Sequence, residues 1–173
     1  MPLSMHQAAV PVFVQALGAL SKVLDKAQAH AAARKIDPAV LMAARLAPDM
    51  FPFVKQVQLT CDFAKGATAR LAGVEVPAWP DAEKSFDDLK DRIRRTLDYV
   101  QSFKPTQIDG SEAREVKLSI AGAPVTIKGQ PYLLHFVLPN LFFHAAAAYA
   151  ILRHNGVELG KRDFMGQVPG FNA

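Results

Sequence analysis

Residues 138–157 read LPNLFFHAAAAYAILRHNGV, and how this stretch is understood decides the fold. From Pro131 to Leu152 there is no Asp, Glu, Lys or Arg, and a helix apolar on every side is either the centre of a soluble bundle or a membrane span. His135, Asn140 and His144 interrupt the run, Pro139 lies inside it, and four successive alanines are only weakly apolar. A bundle core is therefore the expectation, with Gly156 ending the helix in a left-handed cap conformation. Asn140 and His144 stand one helical turn apart on a shared face, so any partner of one is within reach of the other.

Outward from this segment, helical periodicity recurs. Val10, Phe13, Val14, Leu17, Leu20 and Leu24 repeat at three and four and predict a first helix over about 5–34, with Pro11 able to kink it or delay its start. KIDPAVL supplies Asp37 as an N-cap and Pro38 in the first turn of a short helix to about Ala47. APDMFP breaks the chain, and Asp49 is expected to cap a further helix over about 50–71, stopped by Gly73. After a proline-rich linker, a cap around Asp81 and Lys84 is expected to open an amphipathic helix marked by Phe86, Leu89, Ile93, Leu97 and Val100, ending near Phe103. The period then changes to two. Val116, Leu118 and Ile120, followed by Val125 and Ile127 about an Ala121-Gly122 turn, predict a β-hairpin over about 114–128. A last helix runs from about 132 to 154, and a tail follows over 157–173. The sum is a single, mainly α domain: an up-down four-helix bundle with a small hairpin before its last helix.

Composition fits one compact domain. The chain has 173 residues, half of them hydrophobic, and a net charge of +4. Its basic residues are interspersed with acidic ones, as in EKSFDDLKDRIRR, so no nucleic-acid face emerges. Cys61, the single cysteine, excludes an internal disulfide and reads as a small buried side chain. The N-terminus lacks the positive start of a secretory signal, and a cytoplasmic protein that does not engage a membrane is expected.

The strings RKIDPAVLMAARLAPDMFPFVKQVQLTCDFAKGATARLAG and YLLHFVLPNLFFHAAAAYAILRHNGVELGKRDFMG resemble the bacterial domain-of-unknown-function family numbered nineteen ninety-three, over almost the whole chain. That family in turn looks like a distant branch of the DinB-like (YfiT-like) four-helix bundles. The second resemblance implies a divalent metal on three histidines, one from the second helix and two from the last at i and i+4, and thiol transfer or hydrolysis at that metal. Carried onto this sequence, His144 matches the second ligand of the last helix. Asn140 stands where the first would be, and no histidine lies between His30 and His135 to supply the third.

What remains is a polar set, Gln58, Asp62, Asn140 and His144, with Gln56 nearby on the second long helix. Three readings stay open: a hydrogen-bond network fixing helix register with Asp62 orienting His144, a catalytic or ligand pocket, or a metal centre on His144, Asp62 and Asn140. In the pocket reading His144 is the acid or base and Asp62 holds its tautomer, with Gln58, Asn140, Tyr149 and His6 as walls for a small-molecule ligand. No cofactor is expected, since amide carbonyls are weak ligands, although the superfamily resemblance keeps a divalent metal in view. His135 lies on the opposite side of the last helix from His144, at about 100° per residue, and His154 reads as a C-terminal cap. Arg45 and Asp49 are expected to pair across their turn. The uncharged last helix carries Phe142, Phe143 and Tyr149 on several sides, and the tail carries Phe164, Met165 and Phe171. Together they suggest that the tail folds back over the bundle and that the chain forms a homodimer.

Overall fold

The computed structural model describes residues 3–120 and 122–170. Its first helix, α1, spans Met5–Arg34. Ser4 opens it through a capping box with Gln7, and the helix runs through Pro11 unbroken, giving up only the bond that a proline N–H cannot make. Phe13, Leu17, Leu20, Leu24, Ala27 and Ala31 form its buried stripe.

The short helix α2, Pro38–Ala43, is capped by Asp37 as expected, its carboxylate accepting from the Ala39 N–H at 2.9 Å. It stops earlier than Ala47. Pro48 disfavours a helical Ala47, and the Ala44 carbonyl accepts instead from the Phe53 N–H at 2.9 Å. Helix α3, Phe53–Ala72, therefore starts at Pro52 without a side-chain cap, so Asp49 does not have the capping role expected of it. Arg45 does not pair with Asp49 either: its guanidinium donates to the Met50 carbonyl and braces the same turn from the other side. Gly73, at φ 74°, ends α3 in the left-handed conformation that the sequence anticipated.

Helix α4, Phe86–Gln101, opens on a capping box between Ser85 and Asp88, not on Asp81 and Lys84. Asp81 is drawn elsewhere, as shown below. After a one-turn helix α5, Pro105–Ile108, strands β1 (Glu115–Ile120) and β2 (Ala123–Lys128) pair antiparallel, with Val116 opposite Ile127 and Leu118 opposite Val125. Ala121, in the expected turn, lies outside the described residues, as does Phe171. The last long helix is built in three pieces: one turn at α6 (Gly129–Pro131), a π-helical stretch over Tyr132–Val137, and α7 (Leu138–His154). The wide turn has a local cause. Pro139 has no N–H to return to the His135 carbonyl, and the Leu138 N–H bonds back to Leu133. A five-residue helix α8, Lys161–Met165, lies in the tail.

Side-chain pairs fix the direction of each helix. Gln56 meets His144, Phe63 meets Phe136 and Arg70 meets Tyr132, so α3 and the last helix are antiparallel. Phe53 meets Phe86 at 6.1 Å and Asp62 meets Arg92 at 3.0 Å, so α3 and α4 run the same way. Gln28 reaches Asp87 where α1 starts its antiparallel contact with α4. The expected four-helix bundle is present, mainly α, with the hairpin before its last helix. Its helices run up, down, down, up, because residues 74–85 carry the chain back along α3 before α4 begins. The core gathers Phe13, Phe53, Phe86, Leu71 and Leu133, each at most 2% exposed, and each contributing about 1.5–3 kcal/mol by removal from water.

Candidate functional site

α3 is the axis of the site, because it presents polar residues to two neighbours at once. Toward α7 it presents Gln56. The Gln56 side-chain NH2 donates to the Phe51 carbonyl at 3.1 Å, which fixes the amide and leaves its oxygen as an acceptor. That oxygen lies 2.7 Å from His144 Nδ1, so the ring carries its proton on Nδ1 and donates it to Gln56. The imidazole is 8% exposed, stacks on Phe63 at 5.6 Å and meets the edge of Phe143 at 5.2 Å. Burial, reinforced by the nearby Lys55 charge, lowers its pKa below the ordinary imidazole value, and at neutral pH the ring is uncharged. No hydrogen bond from a described residue reaches Nε2.

Toward α4 and the linker, α3 presents Gln58 and Asp62, and here the chemistry differs. Arg92, whose side chain is 2% exposed, donates to Asp62 and Asp81 at 3.0 Å and to Glu83 at 2.8 Å, and also reaches the Pro80 carbonyl. Lys65 bonds Asp62 at 2.8 Å and sits over the Trp79 ring, Lys55 pairs with Asp81, and Gln58 donates to Glu83 at 2.7 Å. Burial by itself would raise the Asp81 and Glu83 carboxyls. Hydrogen bonds to Lys55 and Arg92 for Asp81, and to Arg92 and Gln58 for Glu83, outweigh it and hold both below the usual carboxylate range. Three acids meet three bases, and the assembly ties residues 79–83 to two helices.

The polar set read from the sequence is thus divided. His144 and Asp62 do not meet: Asp62 is turned to Arg92 and Lys65, and Gln56 takes the orienting role assigned to it. Gln58 faces α4. Asn140 donates to the Phe136 carbonyl of its own helix at 2.7 Å, satisfying an acceptor in the loosened π turn. Tyr149 points toward α1 and the tail, where its ring meets Phe164 at 5.8 Å. His6 is in the first turn of α1, its backbone N–H donating to Asp109 at 2.8 Å, away from the pair. Cys61 is fully buried, and burial pushes its thiol up to about 12, which makes it an inert packing residue. Gln56 was visible in the sequence as a polar residue of α3, but helical spacing alone did not separate its face from that of Gln58. Arg92 and Glu83 were hidden because long-range ion pairing leaves no local pattern.

A divalent metal fits these residues poorly. Nε2 of His144 is one nitrogen donor, the Gln56 oxygen is occupied by the ring proton, and Asp62 is committed to two cations. Among the described residues, no group of three or more His, Cys, Asp or Glu side chains is placed to hold an ion.

The profile of the family described as domain of unknown function DUF1993 matches residues 5–165. The chain belongs to DUF1993. The crystal structure of a DinB family member from Shewanella denitrificans is similar to this DUF1993 chain at 36% identity, with a TM-score of 0.86, over 97% of this chain and 94% of that one. The DinB-like relationship expected from the sequence is therefore shown for fold and family alike. No curated protein matches. Among the described residues, two helices of this DUF1993 protein, α1 and the stretch Gly129–His154, are long and apolar enough to cross a membrane. Both are packed against the other helices of the bundle, where Phe13, Leu17, Leu133 and Ile151 have no exposure.

Proposed function

We propose that this protein is a DinB-like bundle with a degenerate metal position, working in the cytoplasm as a homodimeric binding protein and not as a metal enzyme. One observation carries the reading: the imidazole of His144, kept uncharged by burial, commits its Nδ1–H to the Gln56 amide of α3, at a place where a metal site needs further nitrogen or oxygen donors. The Gln56–His144 pair then joins α3 to α7 and sets their register. Elemental analysis of untagged full-length protein tests this. Zinc, nickel and manganese are expected well below stoichiometry; a stoichiometric metal that is lost in His144→Ala overturns the reading.

A second reading has support of its own. With Nδ1–H fixed on Gln56 and Nε2 bonded to no described residue, His144 is oriented as a general base is, and a hydrolase or thiol-transferase-like activity would use that lone pair. Turnover of an activated ester or thioester that disappears in His144→Gln, with a rate rising through a pH below the ordinary imidazole range, would favour it over simple binding.

A further inference from the structure

Between α1, α7 and α8 lies a cavity of ≈ 130 Å³ lined by Ala16, Leu20, Phe142, Ala145, Tyr149 and Phe164, among others. It is separate from the Gln56–His144 pair, which occupies the α3 side of α7. Its origin is in the sequence. Ala16 on α1 and Ala145 on α7 put methyl groups where larger side chains would meet, while the tail provides a roof. The roof is fastened at three points: Gln15 Nε2 donates to the Met165 carbonyl at 2.9 Å, Lys26 pairs with Asp163 at 2.7 Å, and Phe164 packs edge-on against Tyr149. Gly166, at φ 63°, allows this close approach, since a Cβ there would come within 2.8 Å of the Ala19 Cβ.

We propose that this cavity is a binding site for a small uncharged monocyclic aromatic molecule, with α8 as its cover. Size sets the first limit: an engineered apolar cavity of about 150 Å³ stays dry and takes up benzene. Chemistry sets the second. The walls are aliphatic side chains and the rings of Phe142, Tyr149 and Phe164, which favour an aromatic guest in edge-to-face contact, and the one amide among them, Gln15, spends its Nε2 on the Met165 carbonyl. No charged side chain lines the cavity, so a carboxylate or ammonium guest would be desolvated without a counter-charge. A single hydroxyl is tolerated, because among the described residues the Tyr149 hydroxyl has a long 3.5 Å contact, with the Leu159 carbonyl, and its proton can turn to a better partner. The proposal rests on reading the chain as a binding protein, but a metal at His144 would overturn that reading without touching the cavity.

Toluene, p-cresol and benzoate are the probes, titrated into the full chain with its alanine methyl groups labelled for NMR. Saturable shifts at Ala16 and Ala145 are expected with toluene and p-cresol, and none with benzoate. Ala145→Leu, which adds three carbon atoms to the wall, should weaken p-cresol binding at least tenfold with unchanged helix content. If that variant does not fold, Phe164→Ala replaces it and should speed release of the guest by opening the roof. Absence of saturable shifts at the two alanines, equal binding of benzoate, or insensitivity to the cavity variant that folds would overturn the proposal.

Discussion

His144 shows how one hydrogen bond decides what an imidazole can do. Because burial and the nearby Lys55 charge disfavour the charged ring, the native state resists protonation that the unfolded chain accepts at the ordinary value of about 6.5. The folded pKa is the lower one, so the contribution is fully present above the unfolded value and is lost as pH falls through the folded one. Urea unfolding followed between pH 7 and pH 5 should therefore show stability falling on acidification, and His144→Gln should flatten that dependence. Gln56→Leu removes the acceptor and leaves a buried N–H unpaired, which should cost about 1–3 kcal/mol near neutral pH. In a double-mutant cycle, Gln56→Leu with His144→Phe should be less destabilising than the sum of the singles, because the two polar groups leave together. An additive result would mean that the pair does not couple. The sequence identified His144 and its place on the last helix, since i and i+4 spacing reports a shared face. It assigned the wrong partner, because which of Gln56, Gln58 and Asp62 faces α7 depends on the rotation of α3, and that is set by packing.

The elements were legible wherever a local signal marks them. Asp37 before Pro38, Gly73 after Ala72 and the alternation about Gly122 all act within a few residues, and each appears where expected. The start of α4 shifted because tertiary partners competed for an acid, Asp81 serving Arg92 and Lys55 and leaving Ser85 and Asp88 to cap the helix, while the start of α3 was moved by the backbone bond from the Phe53 N–H to the Ala44 carbonyl. The linker is the element most exposed to this competition, having no helix or strand of its own and depending on Asp81, Glu83 and Trp79. Arg92→Leu would leave three partly buried carboxylates without their shared cation; because Asp62 keeps Lys65, Asp81 keeps Lys55 and both are about one-third exposed, the cost should be about 1–3 kcal/mol, below that of breaking a fully buried pair. Hydrogen exchange should speed up in residues 74–85 before it does in α3. Uniform acceleration across the bundle would show that the linker is held by something other than Arg92. Acid should mimic part of the effect. Asp81 and Glu83 have lowered pKa values, so their contribution is complete above the usual carboxylate range and is lost as pH falls through the lowered values.

For the molecule as a whole, the outward face of α7 is the least explained by a monomer. Pro139, Phe142, Phe143 and Ala146 follow helical spacing, all are exposed, and Phe143 is 56% exposed. No charge from Pro131 to Leu152 breaks the surface, and only 39% of the most apolar window of this helix is buried. To cross a membrane α7 would have to separate from α3, losing the Gln56–His144 bond and the Phe63 contacts with His144 and Phe136. A second copy of the chain would cover the same face without that loss, and a two-fold axis would set Phe143 and Ala146 of both subunits against each other. Sedimentation of the full chain at micromolar concentration should therefore give a dimer. Ala146→Glu, which buries a charge in such an interface without altering the monomer core, should shift it to monomer by at least a hundredfold in dissociation constant, with helix content unchanged. Phe143→Glu should do the same, while Lys117→Glu on the hairpin should leave the dimer intact. A wild-type chain that sediments as a monomer, or an Ala146→Glu variant that remains dimeric, would place the contact elsewhere and leave α7 as an apolar face without a partner of its own kind.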